Sequence, residues 1–200
     1  MLLERNVNPD TPSHPRKTPL SVASSNGYEG IVRILLERND VNPDKADLLR
    51  RTPLSWASAN GHKGVVRMLL ERSDINPDKP DLLHRTPLSW ASANGHEGVV
   101  RMLVERNDVN PGKRTWFGMT PLWEASLYGH AEVKRILLEQ NDVNPHKPSL
   151  FGQTPLSWAS KNEHEGVVGM PLEQNDPNPS NPDKWHQALS KWTSWGLADT

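Results

Sequence analysis

Apolar positions along this chain follow a helical period in short bursts, and the bursts recur every 34 residues. From Thr52 to Pro77 the chain reads TPLSWASANGHKGVVRMLLERSDINP, and nearly the same string returns from Thr86 to Pro111. Weaker copies begin at Thr18, Thr120 and Thr154. A fixed period of this size marks stacked supersecondary units, each burying its apolar face only against its neighbours. Within one unit, Leu54, Ala57, Ser58 and Gly61 share one side of a predicted helix. Thr52 offers its hydroxyl to the first-turn amides, and Pro53 gives up an N–H that would be unpaired there. Gly61 ends this helix, because glycine tolerates the left-handed conformation of a C-terminal cap. A second helix follows, with Val65, Val66, Leu69 and Leu70 inward and Arg67, Glu71 and Arg72 outward. From Ser73 to Arg85 the chain is rich in breakers, Asn76-Pro77-Asp78 and Pro80 among them, and reads as an extended turn. Helices this short are marginal alone, so stacking through the small residues Ala57 and Ser58 has to supply the stability.

The strings TPLSWAS and GHxGVV, the following LLE and the VN of the loop resemble the ankyrin repeat. The Trp, Gly and Tyr spacing of tetratricopeptide repeats is absent. The resemblance covers roughly residues 1–179 and implies an all-α solenoid of stacked helix–turn–helix units with long hairpin-like loops. Departures from the family pattern are specific. The usual length is about 33 residues, and here the second helix exits one residue sooner while the loop is two longer. The hairpin glycine survives as Gly118 and Gly152 but is replaced by Arg16, Arg50 and His84. If that position needs a positive φ, those replacements strain the turn. The histidine of the family's TPLH is Ser21, Ser55, Ser89, Trp123 and Ser157, which removes its internal hydrogen bond.

In chain order the expected divisions are a partial repeat at 1–10, an irregular loop at 11–17, and repeats at 18–51, 52–85, 86–119 and 120–153. A degenerate repeat at 154–179 and a tail at 180–200 follow. The opening LLERNVNPD matches the end of a second helix and its loop, so the chain begins in mid-repeat without a cap. That motivates the expectation of a fragment of something larger. In the fifth repeat Glu163 stands where Gly61 stands in the second, Gly169 replaces an arginine, and Pro171 interrupts the second helix at a cost of about 3 kcal/mol. Trp185, Leu189 and Trp192 fall at helical spacing after Asn181-Pro182-Asp183. They are read either as a short amphipathic helix covering the end of the array or as a docking peptide.

Composition narrows the function classes. Eleven of the 18 prolines sit on the ruler, so the high proline content is punctuation rather than low complexity. Lysine and arginine number 23 against 24 acidic residues, with no basic cluster of the kind that nucleic acid requires. There is no cysteine for a disulfide or a thiolate zinc site. No stretch reaches the roughly 20 apolar residues of a membrane span. The expectation is an intracellular protein, cytoplasmic or nuclear, with no membrane, nucleic-acid or small-molecule partner and no cofactor.

The candidate sites are ladders. His62, His96, His130 and His164 recur once per repeat. Stacked helices about 8–10 Å apart cannot bring them to a common metal, so they resemble the family's Gly-His cap. Glu37, Glu71, Glu105 and Glu139 follow Arg33, Arg67, Arg101 and Arg135 by four residues, as on a solvated helix face. A translated ladder gives equivalent environments, not the two unlike ones of a catalytic pair, so no active site is expected. Trp56, Trp90 and Trp158 lie two residues beyond the core leucine, beside positions that line the concave surface in the family. Their rings pack between repeats or offer an aromatic strip, and both can hold.

The fourth repeat differs most, with Trp123-Glu124 for Ser-Trp, Leu127-Tyr128 for Ala-Asn, and Trp116-Phe117 in the preceding loop. Near-identical copies cannot distinguish positions on a partner. The expected partner contacts are therefore Trp116, Phe117, Trp123, Glu124, Leu127 and Tyr128, supported by Trp56, Trp90, Arg50 and His84. The expected function is a non-enzymatic scaffold that binds an unidentified protein through its concave face. The alternative is a sensor or regulatory tail of a larger NTPase-type signalling receptor.

Overall fold

The structure, a computed structural model, describes residues 9–11, 17–155 and 157. The chain divides into residues 1–170 and 171–200, and every described residue belongs to the first unit. Arg16, Trp158, Glu163, His164, Gly169 and Pro171, with the tail and its Trp185, Leu189 and Trp192, lie outside the described residues. Among the described residues the regular elements are eight short helices, without a strand. They are α1 (Pro19–Ser25), α2 (Glu29–Leu36), α3 (Pro53–Ala59), α4 (Lys63–Leu70), α5 (Pro87–Ala93), α6 (Glu97–Val104), α7 (Pro121–Leu127) and α8 (Ala131–Leu138). Two fall in each of the stretches 18–51, 52–85, 86–119 and 120–153.

Each first helix starts as its sequence predicts. Thr18, Thr52, Thr86 and Thr120 cap α1, α3, α5 and α7, their hydroxyls accepting from the backbone N–H three residues on. Such a cap contributes about 1 kcal/mol. The serines in the place of the family's histidine extend it, since Ser21 Oγ lies 3.1 Å from Thr18 Oγ1 and Ser55 Oγ 3.1 Å from Thr52 Oγ1. After each helix, glycine takes a positive φ and the next residue turns the chain into the second helix.

The helices form two layers. α1, α3, α5 and α7 pack side by side as one, and α2, α4, α6 and α8 as the other. Leu54, Ala57, Val65, Val66 and Leu69 are wholly buried between them, as are Leu88, Ala91, Val99, Val100 and Leu103 one repeat later. The outward Arg–Glu spacing closes as an ion pair between Arg135 and Glu139 at 2.7 Å. Arg101 reaches instead to Glu132 of the following repeat, also at 2.7 Å.

The extended turns are built alike. In each, the residue at 47, 81, 115 or 149 donates its N–H to the carbonyl four residues on and accepts from the N–H three residues on. The loop is thereby closed around a left-handed residue: Arg50 (φ 60°), His84 (φ 59°), Gly118 (φ 74°) or Gly152 (φ 74°). The strain foreseen for Arg50 and His84 is therefore present. Histidine is commoner than arginine in this conformation, and Arg50 is the cleaner test. Arg50→Gly is expected to stabilise the chain by roughly 0.5–1 kcal/mol in urea unfolding, the left-handed penalty less glycine's extra unfolded-state entropy. A loss of stability would mean that the arginine side chain holds the turn.

Candidate functional site

Two features lie on the side of the array that carries the turns and first helices: an exposed ridge and a buried polar cluster beneath it. The ridge arises because consecutive tips are tied through their backbones. Leu82 N–H donates to the Leu49 carbonyl at 2.9 Å, Trp116 N–H to Leu83 at 3.0 Å, and Leu150 N–H to Phe117 at 2.9 Å. Apolar side chains at these positions are left in solvent: Leu48, Leu49, Leu82, Trp116, Leu150 and Phe151 are all exposed, Trp116 by 66%. The Trp116 ring meets His84 edge-on at 5.8 Å, and Phe117 stacks on Phe151 at 6.2 Å. Contiguous apolar surface of this kind is uncommon on a free protein and marks interaction sites.

The predicted contact residues separate into outer and inner sets. Arg50, His84 and Trp116 are exposed, while Phe117, Leu127, Tyr128 and Trp90 are half-buried. Trp56, Trp123 and Glu124 are buried and present almost no surface. Trp56 lies between two cations, with Lys17 Nζ and Arg51 Cζ each 3.6 Å from its ring centre, and its indole donates to Asp47 at 3.1 Å. Trp90 repeats the arrangement with Arg85 at 4.5 Å and Asp81 at 3.0 Å. Trp123 sits in the serine position and donates its indole N–H to the Gln153 carbonyl at 3.2 Å.

Sequence reasoning did not find this Asp–Arg–Trp unit. Its signal was present: an aspartate, an arginine four residues on and a tryptophan five further, at 47, 51 and 56 and again at 81, 85 and 90. In the fourth repeat the same positions hold Thr115, Met119 and Glu124. Glu124 thus occupies a tryptophan slot. Arg85 reaches across the repeat boundary to it, Nε to Oε1 at 2.9 Å, with both side chains buried. Burial pushes the Glu124 carboxyl up to about 7; Arg85 pulls it back and Asp81 pushes it further. Asp81 is itself raised by burial, though it accepts from the Leu83 and Arg85 amides and the Trp90 indole. Burial raises the Tyr128 hydroxyl; Arg85 pulls it back and Glu124 pushes it further.

The histidines also act between repeats. His62, His96 and His130 each place Nε2 at 2.9–3.0 Å from a carbonyl at the end of the preceding first helix, on Ser25, Ala59 and Ala93. Asn60 and Asn94 reinforce the joint by donating to Ser25 and Ala59. Among the described residues, no group of three or more His, Asp or Glu is placed to hold a metal ion. No helix there is long and apolar enough to cross a membrane.

A search of curated proteins returns no match to the chain. The family model described as ankyrin repeats (3 copies) matches three overlapping stretches, residues 1–81, 39–115 and 88–183. With the paired short helices, two layers and tied turns already in place, the chain belongs to the ankyrin-repeat family, whose members are generally modules of protein–protein interaction and typically non-catalytic.

Proposed function

We propose that this protein is a non-enzymatic scaffold that binds another protein along the concave side of the array, with the turn tips as the principal contacts. The observation that carries this reading is the exposed row Leu48, Leu49, Leu82, Trp116, Leu150 and Phe151. Among the described residues, the helices and their caps expose large apolar groups only at Tyr28, Ile31 and Ile34 in the first repeat, whereas the tips hold theirs outward in one repeat after another. Backbone ties between tips keep the row in one arrangement before binding, which reduces the ordering cost of association. Trp116, Leu127 and Tyr128 distinguish the fourth repeat from its copies and set the position of the partner along the array. Trp123 and Glu124 act from beneath by holding that repeat in place.

Photo-crosslinking tests the reading. A photoreactive residue at Leu82 or Trp116, in the full chain, is expected to give specific adducts in an extract of the source organism. The same group at Arg67 or Arg101, on the outer helices, is expected to give none of them. Adducts from the outer helices alone, or equal yields from both faces, would overturn the proposal.

A further inference from the structure

We infer that the partner segment received by the tip ridge is an acidic amphipathic helix. This rests on the ridge being the binding surface, as proposed above. The backbone donors of the ridge are already spent within the array. Along the ridge the Leu49 and Leu83 N–H groups donate to the carboxylates of Asp47 and Asp81, and the Phe151 N–H to Ser149 Oγ. The Leu82, Trp116 and Leu150 N–H groups donate to the preceding tip, and those of Arg50, His84, Gly118 and Gly152 close their own turns. An extended segment laid on this surface would find no run of donors with which to form a ladder. A helix brings its backbone already satisfied and asks only for side-chain contact.

Spacing supports the same occupant. Stacked repeats repeat at about 8–10 Å, and a helix rises about 1.5 Å per residue, so one tip is passed about every five to seven residues. The wide end of that interval is close to two helical turns, the spacing that returns an apolar side chain to the same face at each tip.

Charge decides the polar side. The carboxylates of Asp47 and Asp81 turn inward to amides and indoles, and Thr115 and Ser149 replace them in the next two tips. Lys45 and Arg50 stay exposed. Arg114 uses its guanidinium on the carbonyls of Gly118 and Pro148, so its charge is retained at the tip. The ridge is apolar with a cationic border, complementary to leucines flanked by carboxylates.

The experiment uses the full chain and labelled peptides of about 21 residues, enough for three repeat intervals. One peptide is an amphipathic helix of leucine, alanine and glutamate. A second has the same composition with two central alanines changed to proline, and a third has lysine for glutamate. Fluorescence anisotropy is expected to show binding of the first peptide only, weakened by salt. Trp116→Ala with Leu150→Ala is expected to reduce it about tenfold or more, while circular dichroism and melting stay as in the parent, since both side chains are mostly exposed. If the proline peptide binds as tightly and is still lost with the two alanines, the helical partner is wrong and the ridge reading stands. Equal binding of the lysine peptide removes the acidic character. If no peptide binds, or the alanines change nothing, both the inference and the ridge reading fall.

Discussion

Glu124→Gln is expected to gain stability over the parent chain as the pH rises from about 5 to about 8, by roughly 3 kcal/mol. The carboxyl is fully buried, with Arg85 2.9 Å away, Asp81 near on the preceding turn, Ser89 on α5 and Tyr128 at the end of its own helix. Its ordinary value of 4.5 is pushed to about 7, because burial outweighs the pull of Arg85. In the unfolded chain the group titrates near the ordinary value. Between the two values the unfolded state gives up a proton that the folded state keeps. Stability is therefore highest below the lower value, declines through the window and levels off above the upper one. Glutamine keeps the shape of the neutral acid and does not titrate. His96, held below 6.5 by burial, works in the opposite sense, but it is common to both chains and cancels in the difference. Urea unfolding of the two proteins at matched pH values measures it. A difference that stays constant across the range would mean that Arg85 holds Glu124 ionised throughout.

The second large effect belongs to the joint between repeats. Gly95 has φ +72°, and a Cβ placed there would lie 2.6 Å from Nδ1 and 2.7 Å from Cε1 of the His130 ring. That ring is pinned by its other nitrogen to the Ala93 carbonyl at 2.9 Å. Gly152 has nearly the same φ, +74°, and, among the described residues, nothing within 4 Å of the corresponding Cβ. Gly152→Ala is thus expected to cost only the backbone penalty, about 1–2 kcal/mol. Gly95→Ala should add overpacking against a held side chain and cost roughly 3 kcal/mol or more. Adding His130→Ala to Gly95→Ala should make the double variant less destabilised than the sum of the two single changes. Equal costs at the two glycines, with no coupling to His130, would show that the histidine does not bind the repeats together.

Much of this fold was legible because local signals agreed with one another, most completely in the second and third copies. Thr-Pro, the small-residue face, Gly-His and the Val-Val-x-x-Leu stripe each specify a step of the same path, and each is found where its chemistry placed it. The inner workings of the site were harder to read. A helical period says which way Trp56 leaves its helix, but not that Lys17 and Arg51 fold over both faces of the ring. Glu124 stands out as a difference between copies, which predicts a partner contact. In a stacked array, however, a residue inherits the surroundings of its register position. Glu124 stands where Trp56 and Trp90 stand, so it is enclosed and takes its charge partner from the repeat before it. The double apolar residue at each tip, Leu48-Leu49, Leu82-Leu83, Trp116-Phe117 and Leu150-Phe151, was visible on the 34-residue ruler. Its exposure depends on the turn's closure and on the ties between tips, which no pattern of residue types encodes.

A preformed ridge requires the tips to form one rigid row, and amide hydrogen exchange on the full chain reads that directly. The Leu82, Trp116 and Leu150 amides, each bonded to the carbonyl of the preceding tip, are expected to exchange as slowly as those of Val66 and Val100 in the second helices. Exchange at the rate of open loops, while the helices stay protected, would mean that the tips move independently and that no preformed ridge exists.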